Sequence, residues 1–386
     1  MFNKKFKITI KTLHNLEDVL AEEIKQLGGK DILPGNRVVY CEGDLNFLYK
    51  ANLQLRTALR VLVPIAEFPI READNIYSQA LKTDWTQYLD LEQTFAIDPN
   101  VHSDFIKHSN YASVKLKDAI ADCFTEKFGK RPDVNPDKPD VLFNLHIDNH
   151  RVTVSMDSSG ESLNRRGYRG AGAMAPLNEV LAAGMILLTE WRGKSDFYDP
   201  MCGSGTLAIE AALIARNIPP QMMRREFGFQ WWKNFDDAAW QEVKQQAEDG
   251  IRFAKCKIFA SDADSRQLSV AKENIANADL DEEIELSLSD FFETKPTSES
   301  GMLVINPPYG ERMEAEDINL FYKRIGDHLK HNWHGHRAWI ISSNNEALKR
   351  VGLKPSKKYH LINGTLECRY HCFDLFGGKR KEFLQG

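Results

Sequence analysis

Two short segments carry polar groups where strand-like runs end. The first is Asn306-Pro307-Pro308-Tyr309, which follows the apolar run Met302 to Ile305. Two consecutive prolines fix φ, remove backbone donors and hold the turn extended. The Asn306 side-chain carbonyl and the Pro307 backbone carbonyl are then two neutral acceptors, matched to the two N–H groups of an exocyclic amine on a nucleobase. Tyr309 can stack on that base, as aromatic side chains do with unpaired or extruded bases. An amine gripped this way can aim its nitrogen lone pair at an electrophilic methyl group. Orientation and a preorganised polar site, rather than a strong base, would supply most of the rate. The second segment is Asp199-Pro200-Met201-Cys202-Gly203-Ser204-Gly205-Thr206, after the strand-like Phe197-Tyr198 and ahead of the helical Leu207 to Ala215. Glycines in such a turn let a ligand approach the backbone at the carboxyl edge of a sheet. The dinucleotide fingerprint wants a third glycine where Ala208 stands, and no Gly-Lys-Ser/Thr follows to make a phosphate loop. An acidic residue instead precedes the turn, where it can face a cationic amino group. Among nucleotide-like ligands this combination favours S-adenosylmethionine.

Two further carboxylates fall at matching places. Ser261-Asp262-Ala263-Asp264 ends the strand-like Lys257 to Ala260, where Asp262 can accept from both ribose hydroxyls and Asp264 or Ser265 can cap the next helix. Ser289-Asp290-Phe291 follows Ile284 to Leu288, where the carboxylate can take an adenine amine and an apolar neighbour can line the ring. The elements that must position these groups alternate: strand runs at 197–198, 257–260, 302–305 and 338–341, helical runs at 207–215, 267–276 and 318–329. Such alternation predicts a parallel, doubly wound sheet. The stretch Asn217 to Phe253, with Trp231, Trp232 and Trp240, interrupts it as an insertion whose tryptophans read as packing.

Ahead of this region the pattern differs. Phe6 to Ile10 alternates as a half-buried strand, Leu16, Leu20, Ile24 and Leu27 recur at helical spacing, and Gly28-Gly29 stops them. A second α+β unit follows, with helices at 76–81 and 111–128 and strands at 94–97, 142–147 and 152–156. The 386 residues carry 50 Lys+Arg against 55 Asp+Glu, a formal net charge of -5, which excludes coating nucleic acid by bulk charge but leaves room for a local basic patch. Two clusters qualify: Arg165, Arg166 and Arg169 around Tyr168, and Lys379-Arg380-Lys381. The six cysteines include no CxxC pair, so reduced thiols are expected and neither zinc nor any other metal is. No run is long and apolar enough for a signal peptide or a membrane span, which points to a cytoplasmic protein.

Taken together, Asn306-Pro307-Pro308-Tyr309-Gly310-Glu311-Arg312, Asp199 to Thr206, Arg166-Gly167-Tyr168-Arg169 and Ala175-Pro176-Leu177 resemble the THUMP-domain guanine-N2 RNA methyltransferases, most closely the bacterial type acting on large-subunit ribosomal RNA. The resemblance implies an α/β fold: a Rossmann-like class I methyltransferase domain preceded by α+β ferredoxin-like and THUMP domains. The expected boundaries are 1–44, 45–156 and 157–386, with the insertion at about 217–253. It further implies that Asp199, Met201, Cys202, Gly203, Ser204, Gly205 and Thr206 wrap the methionine part of S-adenosylmethionine, with Glu179 near that end on a helix opened by Pro176. Asp262, with Ala263 beside it, would take the ribose, and Asp290 with Phe291 the adenine. Asn306, Pro307 and Tyr309 would hold the guanine. Arg165, Arg166, Arg169, Lys379 and Arg380 are the candidate RNA contacts. The longest bacterial members carry a second methyltransferase domain, which this sequence does not show. Transfer RNA as substrate, and adenine-N6 methylation of DNA, stay open beside ribosomal RNA.

Overall fold

A computed structural model describes residues 5–170, 177–308 and 315–377. Two compact units emerge. The first comprises Met1–Thr12, Ala21–Leu163 and Arg224–Gln245; the second comprises Leu13–Leu20, Asn164–Met223 and Gln246–Gly386.

The first unit is built on one seven-stranded sheet. Its strands are β1 (Phe6–Lys11), β2 (Lys30–Gly35), β3 (Val38–Gly43), β4 (Arg60–Pro69), β5 (Phe95–His102), β6 (Val141–Asp148) and β7 (Arg151–Asp157), in the order β2-β3-β1-β4-β7-β6-β5. The helices along this stretch are α1 (Glu17–Gln26), α2 (Leu45–Gln54), α3 (Asn75–Ala80) and α4 (Ser109–Phe128). All pairings are antiparallel except β5 with β6. The sheet draws no line at residue 44: β4 pairs with β1 on one side and β7 on the other, and Asp44 caps α2 by accepting from the Phe47 amide at 2.8 Å. The break expected there is therefore not a structural one.

The insertion also differs from expectation, since its middle belongs to the first unit. Tyr49 packs at a tilt against Phe229, ring centroids 4.6 Å apart, and meets Trp240 edge-on at 5.8 Å, while the Asp236 amide donates to the Tyr49 hydroxyl at 3.0 Å. Trp240 and Trp232 are buried and Trp231 is partly exposed, its indole N–H donating to Glu226. Aromatic edge-to-face packing of this kind is worth about 0.5–1.5 kcal/mol per pair beyond the area it buries.

The second unit is a doubly wound α/β layer. Its strands are β8 (Asp196–Asp199), β9 (Ile258–Asp262), β10 (Ile284–Leu288), β11 (Gly301–Ile305), β12 (Arg337–Ser342), β13 (Lys357–Asn363) and β14 (Leu366–Asp374), ordered β10-β9-β8-β11-β12-β14-β13. The first five run parallel, and β14 is antiparallel to both neighbours. Continuing in chain order, the helices are α5 (Glu179–Leu188), α6 (Thr206–Ala215), α7 (Asp237–Asp249), α8 (Ser265–Asn277), α9 (Ala315–Asn332) and α10 (Asn345–Arg350), of which α7 lies mostly in the first unit. The central strand β11 is apolar along its length and buried from Met302 to Ile305, as a parallel strand covered on both faces must be. Helix α6 is buried at all ten positions, including its one charged residue, Glu210. Helix α5 is capped by Asn178, whose side chain accepts from the Val180 and Leu181 amides; Pro176, expected to open this helix, lies outside the described residues. All six cysteines are free thiols.

Candidate active site

The switch in strand order falls between β8 and β11, where ligands bind in open α/β sheets. A cleft of about 1010 Å³ opens there, at the carboxyl ends of the parallel strands. That is room for a nucleoside-sized ligand and more.

The glycine-rich turn forms one wall. Gly203 (φ 54°) and Gly205 (φ 80°) adopt left-handed conformations that L side chains rarely take, so the turn needs glycine at both points. Gly205 is also crowded: a Cβ there would lie 3.3 Å from the Ala271 methyl. The turn is tied to its neighbours by the Cys202 amide donating to the Ser261 carbonyl at 2.9 Å and by Asn274 donating to the Ser204 carbonyl at 2.9 Å. Met201, Cys202, Gly203, Ser204, Thr206 and Leu207 line the cleft. Burial first, and then the neighbouring Asp199 and Asp262 carboxylates, push the Cys202 thiol well above its usual range, which disfavours the thiolate.

Asp199, the last residue of β8, does not line the cleft. It is fully buried, and neither carboxylate oxygen has a hydrogen-bond partner among the described residues. Burial, with the nearby Asp262 charge adding to it, raises its carboxyl well above the ordinary range; the pull of the Ala208 amide is too weak to offset them. A buried, unsatisfied acid beside a ligand cleft is what a cationic ligand group would relieve.

Asp262 ends β9 on the cleft wall. Its two oxygens accept from the Gly203 amide at 2.8 Å and the Asp264 amide at 2.9 Å, which fixes the carboxylate while leaving lone pairs for ligand hydroxyls. Ala263 and Asp264 line the same wall, and Asp264 caps α8 through the Arg266 amide. Beyond β10, Asp290 accepts from the Phe292 amide at 3.0 Å and so caps the short turn that follows. Phe291 is buried against His328 and Trp333, whereas Phe292, which the sequence did not single out, is the half-buried ring, covered by the Arg324 guanidinium at 3.9 Å from its centroid. Both rings and Arg324 line the cleft.

At the end of β11, Asn306, Pro307 and Pro308 form the facing wall. The Asn306 side-chain oxygen is buried and has no hydrogen-bond partner among the described residues. An unpartnered acceptor at this place costs free energy until something donates to it. Tyr309 lies outside the described residues, as do Lys379 and Arg380.

The arginine cluster is the main correction. Arg166 is 1 % exposed, and its Nε donates to Glu210 at 3.2 Å; Tyr168, also buried, reaches the same carboxylate oxygen. A side chain sealed in this way does not meet a phosphate. Arg169 donates to Glu179 at 2.8 Å, to the Leu177 carbonyl at 3.0 Å and to Thr206 at 3.3 Å, so it braces the glycine-rich turn rather than facing outward. Glu179, buried and paired with Arg169, reaches that turn only through it and is not on the cleft wall. Arg165 alone of the three arginines is exposed. Among the described residues no cluster of His, Cys, Asp or Glu suits a metal ion, and no helix is long and apolar enough to cross a membrane.

Comparison with known proteins identifies the domains along the chain. Residues 166–371 match the RMKL-like methyltransferase domain, residues 71–157 a THUMP domain and residues 7–62 the RlmL ferredoxin-like domain. The chain is 37% identical over 374 residues to the ribosomal RNA large subunit methyltransferase K/L of Syntrophotalea carbinolica, covering 93% of this chain and 52% of that protein. It thus spans about half the length of such relatives. It is 35% identical over 363 residues to slr0064 of Synechocystis, provisionally named an RNA methyltransferase, covering 94% of each. The crystal structure of SMU.472 complexed with SAH superposes with a TM-score of 0.89 at 28% identity, covering 98% of this chain and 100% of that one. The expected fold class holds: a Rossmann-like class I methyltransferase domain follows ferredoxin-like and THUMP domains, and the chain belongs to the RMKL-like methyltransferase family.

Proposed function

We infer that this protein is an S-adenosylmethionine-dependent methyltransferase acting on the exocyclic N2 of a guanine in large-subunit ribosomal RNA. The observation that carries the reading is the buried, unpartnered Asn306 carbonyl, followed by two prolines, on the same cleft as the glycine-rich turn. When bound, S-adenosylmethionine supplies a methyl group on a positively charged sulfur. The turn residues Met201 to Thr206 would cradle its amino-acid end, the buried Asp199 would balance its ammonium charge, Asp262 would accept from the ribose, and Asp290 with Phe291 and Phe292 would hold the adenine. Asn306 and Pro307 would accept the two N–H groups of the guanine amine and turn its lone pair toward the methyl carbon. Held so, the amine nitrogen would be aligned to take that methyl group, and its extra proton would pass to solvent. No residue on the cleft need act as a strong base, because alignment and fixed dipoles lower the barrier.

The ribosomal substrate is favoured by the THUMP and RlmL ferredoxin-like matches and by the K/L name of the relatives. An RNA substrate of that kind implies a cytoplasmic location, and Arg165, Lys379 and Arg380 stay candidate phosphate contacts. The test is methyl transfer from labelled S-adenosylmethionine to unmodified ribosomal RNA, transfer RNA and duplex DNA, followed by nucleoside analysis. N2-methylguanosine in the ribosomal RNA is expected. Methylation confined to transfer RNA, or N6-methyladenine in the DNA, would overturn the reading.

A further inference from the structure

The cleft has a wall that neither the cofactor motifs nor the Asn306 turn accounts for. It is the tip of the β13–β14 hairpin, Asn363, Gly364, Thr365 and Leu366. Gly364 (φ 63°) opens a two-residue turn between the paired Asn363 and Leu366, the tight geometry that antiparallel strands favour. A tip this short, on a strand hydrogen-bonded along its length, is a rigid element.

Its place in the sheet sets what it can touch. Strand order runs from β10, where Asp290 and the phenylalanines sit, through β9 with Asp262 and β8 with the glycine-rich turn, to β11 with Asn306. Strand β14 lies two strands further on, about 10 Å at the usual strand spacing. The hairpin is therefore on the far side of Asn306 from every cofactor-holding group, at a distance one nucleobase can bridge.

Leu366 has the matching chemistry. Along β14, Leu366 shares a face with Cys368, Tyr370 and Cys372, all of which are buried. Leu366 continues that apolar stripe past the core into the cleft, where it is 45% exposed. Thr365 beside it is exposed and offers a hydroxyl. An apolar side chain and a hydroxyl on a rigid tip suit the flat, partly polar outer edge of an aromatic heterocycle.

We propose that Leu366 and Thr365 form the acceptor-base wall of the active site, contacting the target nucleobase on the side away from the methyl donor. This rests on the reading of the cleft as a nucleobase-methylating site, and two measurements separate their fates. The first is methyl transfer by the unaltered protein, which tests that reading. The second is fluorescence titration of a guanine-containing single-stranded RNA oligonucleotide against protein saturated with S-adenosylhomocysteine, comparing the unaltered protein with Leu366→Ala, Leu366→Met and Thr365→Val. Leu366→Ala is expected to weaken oligonucleotide binding by about tenfold, the loss typical of a removed apolar contact in a substrate pocket, with Leu366→Met close to the unaltered protein. Thr365→Val is expected to weaken binding to a guanine oligonucleotide more than to one carrying 2-aminopurine, which keeps the amine and lacks the carbonyl. S-adenosylhomocysteine affinity, measured by calorimetry, should be unchanged in all three, which also shows that they fold. Oligonucleotide binding unaffected by Leu366→Ala, or lost together with S-adenosylhomocysteine binding, overturns the proposal even if methyl transfer succeeds. Weakened oligonucleotide binding without methyl transfer by the unaltered protein upholds the wall and overturns the transfer reading instead.

Discussion

Arg166 offers a sharp test because its two roles predict opposite results. Replace it with methionine, which fills similar space without charge. Glu210 then remains in α6 with no exposure and without the guanidinium 3.2 Å away. At an effective dielectric constant of about 20, two unit charges at that distance attract by about 5 kcal/mol. Removing one partner of a buried pair costs about 3–5 kcal/mol in practice, because the survivor keeps its desolvation penalty. At roughly 2–4 °C per kcal/mol for a unit of this size, the melting temperature should fall by about 6–20 °C. The double variant Arg166→Met, Glu210→Met removes the stranded carboxylate and should recover most of the loss. Scanning calorimetry of the full chain reads the stability, and filter binding of ribosomal RNA at fixed salt reads the affinity. If Arg166→Met leaves stability intact and weakens RNA binding, or if the double variant is no better than the single one, the assignment of this arginine to the core is refuted.

Three further outcomes follow from the cleft. Asn306→Ala should lower the methyl-transfer rate by about 10²–10³-fold, as loss of one preorganised polar contact does, with S-adenosylhomocysteine affinity retained by calorimetry. Asp262→Ala should weaken cofactor binding by about 10- to 150-fold, the equivalent of the roughly 1.5–3 kcal/mol of a charged hydrogen bond, and titration calorimetry measures it. Asp199 has a folded-state carboxyl raised above its unfolded value by burial first and the Asp262 charge second, so the folded protein holds an extra proton and loses stability as pH rises above about 4. Asp199→Asn should therefore match the unaltered protein near pH 4 and gain on it toward pH 8 in thermal unfolding. Its cofactor affinity should match that of the unaltered protein near pH 4 and fall increasingly short of it as pH rises, because only the carboxyl can ionise against a cationic ligand group.

What was legible in the sequence was chemistry tied to strand ends. Gly203, Gly205, Asp262, Asp290 and Asn306 announce themselves because their types suit a turn or a ligand and because each follows an apolar run. All but Gly205 line one cleft, and Gly205 shapes the turn beneath it. Whether a cation is inside or outside is not local information. Arg166 and Arg169 look like surface charges until Glu210, 44 residues away, and Glu179 are brought beside them. The hairpin tip has no signature in the sequence: Thr365 and Leu366 carry no recognisable motif, and only the pairing of β13 with β14 delivers them to the cleft. Strand β2 is hidden for a different reason: Asp31, Pro34 and Gly35 argue against a strand, yet an edge position with mostly exposed side chains tolerates all three. The pairing of Phe292 with Arg324 is not local either, since a cation over a ring depends on α9 returning to the turn after β10.

The path of the chain through its first unit bears on how the protein can be taken apart. Because Phe229, Phe235 and Trp240 close over Tyr49 from a segment more than 170 residues later, a fragment cut after Leu163 would leave that tyrosine and its neighbours wet. Such a piece would be a sheet missing part of its own upholstery, prone to clump through the bared rings. Dissecting the molecule therefore calls for a graft, joining residues 224–245 to the amino-terminal stretch, rather than a single cut.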